Sequence, residues 1–273
     1  MSALCLVLLL SGCSATGSSP ASHTSATTAM ASTDTTTPTT TPTTPAQPIT
    51  AMGRRCGVPD VASTIETVAG PDGATLSLAS VGAGSTVALL LHETGSAASC
   101  GWWPYAAHLA ASGVRVVMLD FCQYGRSRCD PATPFAFDYA DQVARAVGRL
   151  RTGGARRVVL VGASLGGTVA VVSAAKVRAD AVIDLSGFGY GDLVTSPAVR
   201  AMSVPLLAAA SPEDGPDTDR LAADVTASRA PVKRFVRVGA GHGWSMVLDG
   251  PFPDSAVSPL GLSVIAWVKG DYR

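Results

Sequence analysis

"VVLVGASLGGTVAV", residues 158–171, is the stretch whose reading decides the fold. A run of branched apolar residues ends on Gly162. A lone hydroxyl follows at Ser164, and Gly166 and Gly167 lead into an alanine- and valine-rich stretch. A short, continuously apolar run suits a strand buried on both faces, and the small-residue turn after it opens a helix. Working outward, the strand-then-helix order recurs. "TVALLLH" (86–92) precedes the helical spacing of "WPYAAHLAASG" (103–113), and "VRVVMLD" (114–120) precedes a cysteine-containing loop and the helix "FDYADQVARAVGRLRTGG" (137–154). "DAVIDLSG" (180–187), "VPLLAAAS" (204–211) and "VKRFVRVGAG" (232–241) supply further strands, and "VSPLGLSVIAWVKG" (257–270) reads as a closing helix. Ahead of them, alternating segments on either side of "PDG" (71–73) read as a β-hairpin. The order predicts one α/β domain over residues 54–273, with a mostly parallel central sheet of about eight strands and helices on both faces.

The first fifty residues differ in kind. "ALCLVLLL" (3–10) is far shorter than the roughly 20 residues that a membrane-spanning helix needs, and reads as the apolar part of an export signal. "LSGC" (10–13) follows, and resembles the lipobox of bacterial lipoproteins. The resemblance implies that Cys13 is lipidated and that residues 1–13 are a signal segment; an export signal without lipidation is the alternative. Residues 14–53 are rich in Ser, Thr and Pro and almost free of charge and large apolar side chains. Such a segment cannot bury enough surface to offset its chain entropy, and reads as a disordered linker. A flexible tether of some forty residues reaches about 35–40 Å.

The formal net charge is zero and no basic stripe appears, so nothing points to a nucleic-acid partner. Six cysteines are present. With Cys5 in the signal and Cys13 the lipidation candidate, Cys56, Cys100, Cys122 and Cys129 remain. An even number in an exported domain favours two disulfides out of three possible pairings. Cys122–Cys129, a short loop closure, and Cys56–Cys100 are the favoured pairs. There is no paired CxxC and no histidine beside a cysteine pair, so no metal site is expected.

Gly162-Ala163-Ser164-Leu165-Gly166 is a G-x-S-x-G sequence between a strand and a helix, a setting that exposes the serine hydroxyl on a tight turn at the helix N-terminus. A serine hydroxyl needs a neighbouring base. Of the histidines after residue 54, His108 falls within a helical pattern and His92 ends a strand, where a structural role is commoner. His242 lies in the glycine-rich loop "GAGHGW" after the last strand, on the same carboxyl edge as Ser164, and is the base candidate. The base needs an acid to orient it. Asp214, in the loop after "VPLLAAAS", is the first choice, Glu213 the second and Asp184 the third. Each group follows a separate strand, in the chain order Ser, Asp, His.

Residues 62–270 resemble the α/β-hydrolase superfamily, in its compact serine-esterase and dienelactone-hydrolase-like form. The landmarks are "DGATLSL", "VALLLHETG", "VVMLDFCQYGRS", "VVLVGASLGG", "PLLAAASPEDGP" and "VGAGHGW". The resemblance implies an α/β-hydrolase fold with Ser164 as nucleophile, His242 as general base and then acid, and Asp214 as the orienting acid. It implies no cofactor, and oxyanion donors from the backbone N–H groups of Leu165 and Thr94. His-Gly is usual before that second donor; here the pair is His92-Glu93, with Glu93 expected to point aside. Of Trp102 and Trp103, one is expected in the core and the other is a candidate for lining an acyl pocket. The short, glycine-rich "GFGYGDLVTSPAVRAMSV" (187–204) implies that a large lid is absent.

These features together predict an exported, membrane-tethered monomer that cleaves small-molecule or lipid esters through an acyl-serine intermediate. An acyltransferase with the same triad, and a non-catalytic envelope-scaffold or binding protein on the same fold, are the alternatives. The second would be expected to lose triad residues, and this chain keeps all three.

Overall fold

The computed structural model describes residues 51–57, 63–250 and 255–273. The signal segment, Cys13 and the Ser/Thr/Pro-rich linker up to residue 50 lie outside the described residues. A short helix α1 (Ala51–Cys56) is followed by the hairpin β1 (Ser63–Ala69) and β2 (Thr75–Val81), paired antiparallel. Then come β3 (Thr86–Leu91), α2 (Trp103–Ala111), β4 (Arg115–Asp120), α3 (Tyr139–Thr152), β5 (Arg157–Ala163), α4 (Leu165–Val177) and β6 (Ala181–Leu185). The chain continues through α5 (Thr195–Arg200), β7 (Leu206–Ala210), α6 (Asp217–Ala227) and β8 (Lys233–Arg237) to a two-stranded β9–β10 ribbon (Leu248–Asp249, Ala256–Val257) and α7 (Pro259–Lys269).

The eight-stranded sheet runs in the order β1-β2-β4-β3-β5-β6-β7-β8, and all pairings from β4 to β8 are parallel. The fold is the α/β-hydrolase fold. Side chains alternate across each strand, so the apolar strands feed two cores at once. Leu89, Leu91, Leu160 and Val182 pack under α3, α4 and α6, while Leu90, Val159, Val161 and Ile183 pack under α2 and α7. Continuous apolarity in these strands therefore reflects burial on both faces. Trp102 and Trp103 are both buried in the second core, and the Trp102 indole donates to the Leu91 carbonyl at 3.0 Å. Neither lines an open acyl pocket, because both rings are consumed in seating α2 on the sheet.

The parallel register brings strand ends together: Leu91 lies beside Gly162, Ala163 beside Leu185, and Leu185 beside Ala209. Every loop leaving these ends emerges on one edge.

The cysteines pair as Cys56–Cys100 and Cys122–Cys129, bonds typical of extracellular or exported proteins. Cys56 joins α1 to the loop after β3. Beside it, the Arg55 guanidinium donates two bonds to Asp120, at 2.6 and 2.9 Å, and the backbone N–H groups of Arg126 and Ser99 also donate to that carboxylate. Burial alone would raise the Asp120 pKa; these donors outweigh it and hold it below the usual value. No helix among the described residues is long and apolar enough to cross a membrane.

The disulfides close loops of very different length, with sequence separations of 44 and 7 residues. In the chain-entropy picture they stabilise by about 4 and about 2.5 kcal/mol respectively. Replacing Cys56 and Cys100 together by Ser should therefore lower the denaturant midpoint more than replacing Cys122 and Cys129. The opposite ranking would show that local contacts outweigh loop length here.

Candidate active site

Ser164 sits between β5 and α4 with φ 51° and ψ −113°, a conformation that costs a non-glycine residue of order 1–3 kcal/mol. Close packing imposes it. A β-carbon on Gly162 would overlap the Gly166 carbonyl, and one on Gly166 would overlap the Leu91 carbonyl of β3. The Ser164 N–H donates to the Leu185 carbonyl at 2.8 Å, tying the turn to β6. The hydroxyl thus stands at the N-terminus of α4, where the first helical N–H groups, Leu165 among them, lack intrahelical partners and favour negative charge.

His242 and Asp214 meet. The His242 Nδ1–H donates to Asp214 Oδ1 at 2.5 Å, and Asp214 Oδ2 accepts from the Ser186 hydroxyl at 2.9 Å and the Ser211 N–H at 3.0 Å. The Asp214 side chain is 2% exposed and that of His242 45%, so the carboxylate is shielded while the far side of the ring is open. Three donors on one carboxylate fix its plane, and that fixes the imidazole tautomer with Nε2 unprotonated. Among the described residues Ser164 Oγ makes no hydrogen bond to His242. The histidine loop nevertheless lies directly on the elbow, since a β-carbon on Gly243 would be 3.1 Å from the Ala163 side chain and 3.6 Å from the Ser164 nitrogen.

Glu213 and Asp184 are placed elsewhere. Glu213 accepts the Gly241 N–H at 3.1 Å from an exposed position, bracing the loop rather than the ring. Asp184 is fully buried beneath the elbow, with Oδ1 accepting the Gly187 N–H at 2.8 Å and Oδ2 left without a partner. Burial, with Asp214 nearby adding to it, pushes its pKa up to about 8, so the group is mostly protonated at neutral pH.

His92 is fully buried and neutral. Its Nδ1 donates to the Glu93 carbonyl at 2.6 Å, its Nε2 accepts the Phe121 N–H at 3.1 Å, and burial lowers its pKa. With both nitrogens occupied it cannot act as a base. His108 is exposed on α2. Thr94 is exposed at the start of the turn after β3. Glu93 does not turn aside: its carboxylate reaches to the histidine loop, where Oε1 accepts the Trp244 indole N–H at 2.6 Å. The partner lies 151 residues away in sequence, so no local pattern reveals it.

Ser186 was not evident from sequence. It holds φ 60° at the end of β6, donates to Asp214, and accepts the Gly243 N–H at 3.3 Å, joining the acid to the histidine loop. The available signal was its place in "DLSG", at the carboxyl end of the predicted strand 180–187.

A family model for the α/β hydrolase fold matches residues 87–192. No curated protein matches the sequence. Among solved structures, the chain is similar to the esterase Pf2001 of Pyrococcus furiosus, with 14% identity over 78% of this chain and 91% of that one and a TM-score of 0.62. It is also similar to the Bacillus subtilis carboxylesterase CesB, with 15% identity over 69% and 88% and a TM-score of 0.55. A hormone-sensitive lipase from a metagenome library gives 18% identity over 81% and 90% and a TM-score of 0.56. At these identities the likeness is one of fold.

Asp184 has a consequence for stability. Its folded pKa of about 8 lies above the ordinary carboxyl value of 3.8, so its contribution is full below the lower value and is lost as pH rises through the higher. Asp184→Asn keeps an acceptor for Gly187 and removes the titration. Its melting temperature relative to the wild type should improve steadily from pH 5 to pH 8. A difference independent of pH would contradict this placement of the carboxyl.

Proposed function

We propose that the protein is a serine hydrolase of carboxylic esters, working through an acyl-serine intermediate. The observation that carries this reading is the 2.5 Å bond from His242 Nδ1 to the buried Asp214 carboxylate, in a loop packed on the Ser164 elbow. In the first step His242 Nε2 takes the hydroxyl proton as Ser164 Oγ attacks the ester carbonyl carbon. In this reading the N–H groups of Leu165 and Thr94 are the donors that meet the tetrahedral oxyanion. Collapse breaks the bond to the leaving alkoxide, which takes the proton from His242, and the acyl group stays on Ser164. Water then attacks that acyl-serine while His242 accepts its proton. The second collapse frees the carboxylic acid and returns the proton to Ser164. Asp214 holds the ring and stabilises the imidazolium in both halves of the cycle.

The esterases of similar fold support the choice of an ester substrate, and the short segment between β6 and α5 supports an open site for small-molecule or lipid esters. In the same reading Cys13 carries the lipid anchor, and residues 14–53 hold the domain at the outer side of the cytoplasmic membrane. The two disulfides accord with that location.

Turnover of p-nitrophenyl esters tests the assignment of the acid. Asp214→Asn should lower kcat by about 10⁴, because the imidazole loses its correct tautomer. Glu213→Gln, which keeps an acceptor for Gly241, should remain far closer to wild type. The reverse ranking would move the orienting role to Glu213, and equal small losses would remove the acid from the mechanism.

A further inference from the structure

The proposed mechanism does not use the Glu93 carboxyl, which reaches the histidine loop. Glu93 Oε1 accepts the Trp244 indole N–H at 2.6 Å, and Oε2 is buried without a hydrogen-bond partner. Burial raises the Glu93 pKa, with the indole N–H and His242 pulling it back down. Leaving a carboxyl oxygen in such a place is costly, so the bond made by its other oxygen should repay it.

Trp244 has a fixed seat. Its indole lies so close over Gly101 that a β-carbon there would fall 2.7 Å from Nε1. Gly101 belongs to the 3₁₀ turn Ala98–Trp102, which is pinned by the Cys56–Cys100 disulfide and by the Trp102 bond to Leu91. Between Trp244 and His242, Gly243 holds φ +56°, and a β-carbon on it would be 2.6 Å from Glu93 Oε2.

The histidine loop needs such a fixture. It leaves β8, the edge strand, whose residues are exposed or only half-buried. The other bonds of its residues 241–243 run to the acid side or stay within the loop. Ser211 Oγ donates to the Gly241 carbonyl, Gly241 N–H to Glu213, and Gly243 N–H to Ser186, while His242 N–H donates to Ser245 Oγ. These set His242 against Asp214. Among the described residues, only the Glu93–Trp244 hydrogen bond reaches from this loop across to the loop after β3, which adjoins the elbow.

We propose that Glu93 is a positioning residue: its hydrogen bond to Trp244 ties the histidine loop to the loop after β3 and so sets the separation of His242 from Ser164. The proposal rests on the serine-hydrolase reading. A hydrogen-bond strap of this kind needs an acceptor at residue 93 and a donor at residue 244, and it does not need a charge. Its loss should act on the chemical step, since a displacement of about 1 Å can cost on the order of 10²-fold in rate.

The test compares Glu93→Ala, Glu93→Gln, Trp244→Phe and the double variant Glu93→Ala/Trp244→Phe in the full chain. It reads kcat and KM on p-nitrophenyl butyrate and amide hydrogen exchange over residues 239–247. Glu93→Ala and Trp244→Phe should each lower kcat by roughly tenfold to a hundredfold with little change in KM. The double variant should be no worse than the poorer single one, because both remove the same bond. Glu93→Gln should recover most of the loss, and exchange over 239–247 should quicken only in the variants that lack the bond. Additive losses, a Glu93→Gln as impaired as Glu93→Ala, or an unchanged kcat with faster exchange would each overturn the proposal. If the wild type hydrolyses no ester and takes up no serine-directed label, the hydrolase reading fails by itself. The exchange rates then decide the strap: unchanged rates in Glu93→Ala overturn it and faster ones support it. Trp244→Phe keeps a ring over Gly101, so it remains informative should Glu93→Ala not fold.

Discussion

The Ser164 backbone, held at a positive φ between a strand and a helix, is the constraint on which the other parts of the site depend. No local preference favours that conformation for serine; it persists because the surroundings leave no alternative. Helix α4 approaches β5 so closely that only glycine fits at 162 and 166, and β3 supplies the carbonyl that Gly166 faces. Gly167 is equally constrained, with Asp184 and Gly187 of the β6 end against it. The elbow is thus a product of three adjacent parallel strands, and the N-terminal end of α4 is aimed by the same packing. Loosening any of these contacts would let Ser164 relax toward an ordinary turn.

Two carboxyl groups lie near that elbow in opposite surroundings. Asp184 is sealed under it with one donor and a pKa raised to about 8, so it packs as a neutral group. Asp214, after the next strand, receives Ser186, Ser211 and His242 together. The number and direction of donors, more than proximity, separates a packing acid from one that can orient an imidazole. Ser186 carries much of that distinction. Its own positive φ turns its hydroxyl toward Asp214 and lets it accept the Gly243 N–H, so the acid and the histidine loop share one brace.

What could be read from the sequence follows burial. β3, β4, β5, β6 and β7 are apolar along their length because helices cover both faces, and each was visible as a run. In the chain order Ser164, Asp214, His242, the serine directly follows such a run and Asp214 sits in the loop after another, whereas His242 lies beyond β8, an edge strand whose residues are exposed or half-buried. Helix α6 was not seen: Leu221 and Val225 are its only buried large apolar side chains, and its buried Asp224 is neutralised by Arg200 at 2.7 Å, a pairing across 24 residues. Glu93 was expected to point aside because its position usually holds glycine. Its inward turn depends on Trp244, on Gly243 and on the seat over Gly101, none of which is near it in the chain. Contacts made by single side chains across the fold leave no periodicity to find.

The central claim is that Ser164 is an activated nucleophile, and covalent trapping tests it without knowledge of the natural substrate. The folded protein would be treated with a fluorophosphonate at neutral pH, digested, and the adduct located by tandem mass spectrometry. One adduct, on the peptide containing Ser164, is the predicted result, together with its disappearance from a folded Ser164→Ala variant. No adduct on the native protein, or an adduct on a different residue that persists in that variant, would contradict the account.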